Sequence, residues 1–573
     1  MERLKSFHRR RLILQPSSGS FTAEGQISRW SNSDLDPVPR NQKKWEWYHV
    51  GGFWIAEGFS ASQIQTASAS VALGLNPGIA LIAYLIGNIL VMMACCGTGY
   101  IGSKYSINFP VISRAYDSPQ NSLAITYSRL RSFGLRGSCL PIIIRAIVAP
   151  IWYGIQAYLG SLAVQAMIEA IWPSFANWHT DALPTSADIT AAELLSFTIF
   201  WLASLPFLFL SMPALRWIFL VKVIIMPIFG ICLFTWAVTA SHGFGPLLRI
   251  PNKIEDGMSL GYAFCYAITT AISASSTFAI NIPDLTRYAR NPRTATIAQA
   301  ICLPVCMTLI YFLGVVMAAS SQVIYGQIQW NPLTIVLMWN NRAAKFFVGF
   351  LFAFAMIGTN VAGNSVPFAN DTMALFPKYM NLRRGQFLCA ILGFAICPWK
   401  IEASAQSFLA FLNGYSAPFL GPVAGVLLSD FFLVRRSGEL NVYQLYKPSG
   451  LYWYTAGINV RAVAAFTVGM VPQIPGLAYQ INPMIKGVSR NYVDFTSLGW
   501  LEGLLFSGFA YHILCLSFPF PTRTDEEDKA AWAIVGHDGT RPSTSSTPPQ
   551  DGVEKAVPLQ DAISAPESSS GNS

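Results

Sequence analysis

Long apolar runs alternate with short polar interruptions along the chain, and the runs recur at similar length from Val50 to Phe518. A helix needs about 20 mostly apolar residues to cross a hydrocarbon layer of roughly 30 Å, so each run is long enough to span. Lipid offers no partners to open backbone groups, and the pattern therefore predicts an all-α membrane protein. Twelve transmembrane helices fit the runs. Five lie near 49–73, 78–101, 138–171, 194–213 and 217–240, and five more near 262–283, 298–320, 345–376, 386–398 and 404–434. Two follow near 459–483 and 496–519. The chain thus divides into an N-terminal tail (1–47), a transmembrane domain (48–519) and a C-terminal tail (520–573); both tails are polar and read as disordered.

Composition agrees with a membrane as solvent. Of 573 residues, 53% are hydrophobic and 12% charged, and mean hydropathy is +0.41, which excludes a chain of several water-soluble cores. The net charge of +9 could point to nucleic acid, but Lys and Arg sit in the N-terminal tail and at alternate loops and form no continuous basic face. No nucleic-acid partner is expected, and orientation accounts for the charge. Arg114, Arg131 and Arg136 follow span two, Arg216 follows four, and Arg287, Arg290 and Arg293 follow six. Lys378, Arg383 and Arg384 follow eight, and Arg435 and Arg436 follow ten, so these loops and both tails are expected in the cytoplasm. Residues 172–193 hold no Lys or Arg, whereas Arg342 and Lys345 sit on the wrong side. Nearly all ten Cys lie inside apolar runs without CxxC spacing or a neighbouring His, which predicts reduced packing residues and no metal site. The first forty-odd residues lack the apolar core of a signal peptide, so the first span is expected to direct insertion.

Polar residues inside the spans carry the candidate chemistry. Span one reads FWIAEGFSASQIQTASASVALGL, and span six repeats the idea with SASSTFAINIPD from Ser273 to Asp284. Small hydroxyl residues and helix breakers in two corresponding spans suggest discontinuous helices that bind a substrate near mid-membrane, and five spans followed by five suggest an inverted repeat. Each serine alone could equally serve close helix packing. In span three, Trp152 and Gln156 are four residues apart and share a face. An indole beside a donor–acceptor amide suits a flat heterocycle with an alternating carbonyl and N–H edge, although a packed Trp and an interhelical hydrogen bond give the same spacing. Asn360, Asn364 and Asp371 form one polar stripe in span eight, and Asn364 is a second candidate amide for that edge or else a helix-joining hydrogen bond.

Three ionisable groups lie within spans at similar depth on the cytoplasmic side: Glu57 in span one, Lys222 in span five and Asp371 in span eight. Burying an unpaired charge is costly, so Glu57 and Asp371 either pair with Lys222 or bind a proton, in a network that couples proton binding to the inner gate. Alternatively, Lys222 snorkels to the headgroups and Asp371 caps a loop.

At these positions the sequence resembles the nucleobase cation symporter family, first type, in its fungal uracil and allantoin permease branch. The match covers nearly the whole membrane portion. It is carried by SNSDLDPVP and KKWEWYHVGGFWIAEGF, INFPVISRA, NIPDLTRYAR, GTNVAGNSVPFANDTMALFP, NGYSAPFLGPVAGVLLSDFFLVRR and VRAVAAFTVGMVPQIPGLAYQINP, in that order. The resemblance implies a leucine-transporter-type fold with a five-plus-five inverted repeat and two further C-terminal helices, working by alternating access. It places the substrate-stacking Trp on Trp152, the substrate amides on Gln156 and Asn364, important acidic positions on Glu57 and Asp371, and the outer gate on Leu412 and Tyr415.

Two departures bear on function. Tyr116 to Ser132 intervene between Ala115 and Phe133, where the family pattern runs almost directly from RA to FG; the stretch is either a genuine insertion or an unspliced intron. Where sodium-coupled relatives place a hydroxyl pair in span eight, this chain has Gly358 and Thr359, which fits proton coupling better. The large aromatic that those relatives supply from span six is also missing, since the matching stretch is Ser275 to Phe278; stacking is then one-sided or uses Phe278.

The resemblance therefore implies a proton-coupled plasma-membrane importer of a nucleobase or related heterocycle, uracil and allantoin first, uridine or thiamine next. It implies no cofactor beyond the proton as coupling ion. A non-transporting nutrient receptor on the same scaffold is a reading of another class, and an enzyme is disfavoured because no nucleophile with a partnered base is visible. Lys, Ser and Thr in the tails are candidate acceptors of ubiquitin or phosphate for endocytic control.

Overall fold

A computed structural model describes residues 35–114, 132–179, 182–210, 212–244, 250–254, 259–434, 457–482, 484–485 and 487–518, with 212–216 as backbone only. The C-terminal tail, most of the N-terminal tail with its candidate modification sites, and Tyr116 to Arg131 lie outside the described residues.

Helices in chain order are α1 (Trp47–Gly58), α2 (Ala61–Ala72), α3 (Pro77–Tyr105), α4 (Cys139–Ile171), α5 (Ala191–Ser204), α6 (Met212–Ala240) and α7 (Leu260–Ser275). They continue with α8 (Phe278–Thr286), α9 (Pro292–Tyr325), α10 (Arg342–Leu375), α11 (Leu382–Ala395), α12 (Ala405–Val434), α13 (Val460–Ile481) and α14 (Arg490–Ser517). Among the described residues, nine helices are long and apolar enough to cross a membrane, and α7 with α8, bent by 44°, makes a tenth crossing. The expected first span is the broken pair α1–α2, and the expected ninth is the 14-residue α11.

Both expected breaks are present. α1 stops at Gly58, Phe59 and Ser60 leave helical geometry, and the Ser60 hydroxyl accepts from Gln63 N to restart the helix as α2. α7 stops at Ser275 and the chain resumes at Phe278, five spans further on. Two helices widen without breaking: α10 into a π-helical stretch at Asn360–Ser365, and α12 at Ser416–Leu420 and again at Ser429–Val434. Pro367 just after the first stretch and Pro418 inside the second lack the N–H that a regular turn needs, which favours the wider hydrogen-bonding.

Packing follows membrane logic. On α3 the large residues Ile82, Leu85, Ile89 and Met93 face outward, while Ala83, Gly87, Val91 and Ala94 are buried against neighbours. Small residues bring backbones together where the broken span one meets α9. The Ser68 hydroxyl donates to Gly314 O at 2.8 Å, and a Cβ on Gly314 would lie 2.2 Å from Ile64 O. Arg342 and Lys345, the two exceptions to the charge pattern, have local employment. Arg342 donates to Ala170 O and Ile171 O at 2.6 Å each, capping the C-terminal end of α4, and Lys345 donates to Leu337 O at 2.6 Å and pairs with Glu169 at 3.5 Å.

Gly314→Ala should force α9 off α2 and lower stability by about 1–3 kcal/mol. Gly261→Ala, whose Cβ would meet only Ser259 Oγ at 3.9 Å, should stay within about 0.5 kcal/mol of the parent. Thermal unfolding of the purified proteins in detergent compares the two.

Candidate functional site

The two breaks meet α4, α10 and α12, and the polar side chains there form a connected set. Gln156 on α4 donates from Nε2 to Ser62 Oγ at 2.8 Å, and Ser62 Oγ lies 3.0 Å from Ser60 Oγ at the break of span one. The Gln156 Oε1 is buried with no hydrogen-bond partner. One turn earlier on the same face, the buried Trp152 donates from Nε1 to Tyr415 OH at 2.9 Å, and its ring meets Phe411 and Tyr415 edge-on at 5.9 and 6.4 Å. Tyr415 OH in turn donates to Ser273 O at 2.9 Å, next to the break of span six. Tyr415 therefore ties α12 to α4 and α7 at once.

Beside this tie, the Ser273 hydroxyl bonds both Ser416 and Asn413, the latter at 2.9 Å, and Asn413 Nδ2 donates to Thr270 Oγ1 at 3.1 Å. Leu412 and Ser275 are fully buried nearby in the same helices. On α10, Asn364 donates to Asn360 Oδ1 at 3.0 Å, and Asn360 donates to Tyr153 O at 3.1 Å, so the π-helical stretch is fastened to the backbone of α4 beside Trp152. Phe278 sits elsewhere. Its ring packs edge-on against Phe53 and Trp54 of α1, each at 5.6 Å, and is not in ring contact with Trp152.

The ionisable residues fall into two clusters instead of one. Lys222 of α6 is fully buried and donates to Thr359 Oγ1 at 2.7 Å and Ala355 O at 3.1 Å on α10. Glu57 is its charged neighbour across α1, within electrostatic range but not in ion-pair contact. Glycines make room for both chains: a Cβ on Gly358 would lie 2.9 Å from Lys222 Cδ, and one on Gly363 would lie 3.0 Å from Glu57 Oε1. Lys222 does not snorkel, since its Nζ is held inside the bundle.

Asp371 corrects the expected network, because it pairs with Arg145 and not with Lys222. Arg145 on α4 donates from Nε to Asp371 Oδ2 at 2.6 Å and from Nη2 to Asp371 Oδ1, a bidentate pair. Its Nη1 reaches Asp284 Oδ2 of α8 at 3.1 Å, and Nη2 also donates to Pro367 O at 3.2 Å. The guanidinium lies 4.5 Å over the Phe109 ring, and Phe109 N donates to Asp284 Oδ1 at 2.9 Å. One buried cation thus joins α4, α10, α8 and the short helix Phe109–Ile112.

Arg145 and Asp284 are absent from the candidates drawn from sequence. The signal for Arg145 was the same one that exposed Lys222, a lone cation in an apolar run. Tyr311, which donates to Gln63 Oε1 at 2.9 Å, and Phe411 were likewise missed, since aromatic residues in membrane helices carry no distinguishing pattern.

Comparison with known proteins agrees with this geometry. Residues 37–501 match the family described as permease for cytosine/purines, uracil, thiamine, allantoin. The uracil permease of Saccharomyces cerevisiae is 33% identical over 505 residues, covering 86% of this chain and 76% of that protein, and the allantoin permease of the same yeast is 30% identical over 503 residues, again 86% and 76%. The uridine permease of that organism is 32% identical, covering 89% of this chain and 79% of its own. Among solved structures, Mhp1, a nucleobase-cation-symport-1 family transporter in a closed conformation with bromovinylhydantoin bound, superposes with a TM-score of 0.65 at 20% identity over 87% of this chain and 99% of that one. Its leucine-transporter-type fold is therefore the fold of this protein, and the chain belongs to the nucleobase-cation-symport-1 family of permeases for cytosine, purines, uracil, thiamine and allantoin.

Proposed function

We propose that the protein is a proton-coupled symporter that imports a single-ring heterocycle, uracil or allantoin, across the plasma membrane by alternating access, with both termini in the cytoplasm. The observation that carries this reading is the unpaired Gln156 Oε1, buried beside Trp152 where both broken spans meet. A buried carbonyl without a donor is costly, and an imide or ureide N–H would relieve it while the adjacent amides of Gln156 and Asn364 offer donors to flanking carbonyls. Trp152 supplies the apolar wall; Phe278, packed into α1, serves the inner half of the pathway, and Ser275 lines the break.

Lys222 supports the choice of coupling ion. Its ammonium takes a carbonyl and a hydroxyl of α10, the kind of oxygen set a bare cation would use, so a fixed positive charge stands where a sodium ion would need to bind. Glu57 beside it is the proton acceptor, and protonation removes the counter-charge that holds α1 toward Lys222. Tyr415 with Leu412 closes the outer side, and Arg145 with Asp371 and Asp284 closes the inner side. Opening inward then requires α8 to leave Arg145, while Asp371 keeps the cation neutralised on α4 and α10. The activity is a change of exposure and not of bonds. The capping roles of Arg342 and Lys345 remove the two exceptions to the charge asymmetry and so favour this orientation.

Uptake of labelled uracil, with allantoin, uridine, thiamine and cytosine as competitors, in cells lacking their own permeases, tests the reading on this chain and on one lacking Tyr116 to Ser132. Uncoupler-sensitive uptake is expected, falling at least about tenfold in Gln156→Ala and Asn364→Ala, the scale of one lost buried hydrogen bond. Glu57→Gln should flatten the pH dependence of whatever uptake remains. No uptake of any of these compounds at confirmed surface expression would favour a non-transporting receptor.

For the inner closure, Asp371→Asn removes the charge of the bidentate pair but leaves Arg145 its Asp284 partner, and should cost about 1.5–3 kcal/mol. In double-mutant cycles on detergent-solubilised protein, Asp371 should couple to Arg145 by more than about 1.5 kcal/mol and add with Lys222→Met to within about 0.5 kcal/mol. The reverse result would restore the single network.

A further inference from the structure

A further buried acidic residue has no cation among the described residues. Glu402 lies in the connection between α11 and α12, just past the turn Pro398–Lys400, and is 7% exposed. Both of its oxygens accept from Gln65 Nε2 of α2, at 2.9 and 3.1 Å. Gln65 is itself fully buried, and its Oε1 has no hydrogen-bond partner. From α4, Tyr158 lies within electrostatic range of the carboxyl, as it does of Glu193 in the first turn of α5. Lys400, two residues earlier on the loop, forms no ion pair with Glu402, nor does any other cation among the described residues. Burial without a counter-charge pushes the Glu402 carboxyl up to about 8, with the Gln65 bond opposing the rise.

The two protonation states bind Gln65 differently. A carboxylate only accepts, so it uses the amide N–H and leaves Gln65 Oε1 unpaired, as in the structure. A carboxylic acid also donates, and a small turn of the amide gives a two-point pair, O–H to Gln65 Oε1 and Nε2–H to the carboxyl carbonyl. The proton comes from outside water and no other bond changes. Gln65 rides on the outer half of the broken span one, whereas Glu402 is carried by the connection into α12, the helix that bears Tyr415.

We propose that Glu402 is a proton-binding site on the outer face, and that its protonation fastens a carboxyl–amide latch between α2 and the α11–α12 connection, so that external acid favours the state shut to the outside. The inference rests on the orientation proposed above and not on the substrate. The burial of both partners places the latch out of reach of simple screening by salt. Acidification then acts at two places, on Glu57 in the bundle and on Glu402 at its rim.

The test is accessibility. Ala410 borders a cavity of about 120 Å³ together with Ser70, Tyr262, Tyr266 and Gln480, and Ala410→Cys reports whether that space is open. The full chain, with its partly exposed cysteines replaced by Ser, is labelled in intact cells with a membrane-impermeant maleimide between pH 6 and pH 9. Rates are divided by those of the same cysteine in E402Q, which keeps a neutral two-point pair at every pH and so cancels the thiol's own pH dependence. A group titrating at about 8 goes from about 1% to about 90% carboxylate over this range, so the ratio should start near one and rise several-fold. A flat or falling ratio overturns the proposal. In Gln65→Leu the carboxyl remains without its partner, and labelling should be fast at all pH; a ratio that still climbs there overturns the latch. Labelling only from the cytoplasmic side overturns the orientation and the proposal with it. Uptake of uracil and of allantoin on the same cells is read separately: absence of both with the rising ratio intact sinks the substrate reading and leaves the latch standing.

Discussion

A helix that stops inside a hydrocarbon layer leaves backbone N–H and C=O groups with no water to receive them, and the whole centre of this protein is organised by that shortage. Several of the freed groups near the two breaks have side-chain partners. Ser60 takes Gln63 N, Tyr415 and Ser276 donate to Ser273 O, and Thr98 donates to Ala279 O at 2.8 Å. Because Tyr415 and Thr98 come from other helices, their bonds to the break of span six also fix how α3 and α12 approach it. The residue that completes the backbone of span six, Tyr415, is therefore the same one that covers the site.

Polar surplus is the other half of the account. Once the backbone is satisfied, Gln156 Oε1 remains unpaired in the heart of the bundle, and that excess is what a ligand edge can meet. The ionic cluster around Arg145 works on a different principle. It has two carboxylates for one cation and a main-chain acceptor besides, so one carboxylate can leave without exposing a bare charge.

The breaks were legible because Ser, Asn, Gly and Pro in two membrane-length runs five spans apart conflict with a simple lipid-facing helix. Trp152 with Gln156 was legible from a spacing of four, which puts both on one face, and the structure does bring them to the junction of the breaks. Pairing was not legible. Asp371 and Arg145 are separated by 226 residues, and helical periodicity says which face a residue takes but not which helix will stand opposite. Lys222 is nearer to Asp371 in the expected depth along the membrane, yet its ammonium goes to Ala355 O and Thr359 of α10 while Arg145 takes Asp371 and Pro367 O. Phe278 illustrates the same limit: its position in the break suggested the site, while its ring went to Phe53 and Trp54.

Gly358 and Lys222 share one volume, since a Cβ at 358 would press on the lysine stem while its ammonium is anchored to Ala355 O and Thr359. In evolutionary terms the two positions form a single character written on two helices. A side chain acquired at 358 dislodges the ammonium, and a lysine lost at 222 leaves a void beside a glycine. A lineage that changes one must pass through a less stable intermediate before it changes the other, so the charge on α6 and the bare backbone on α10 should be inherited together.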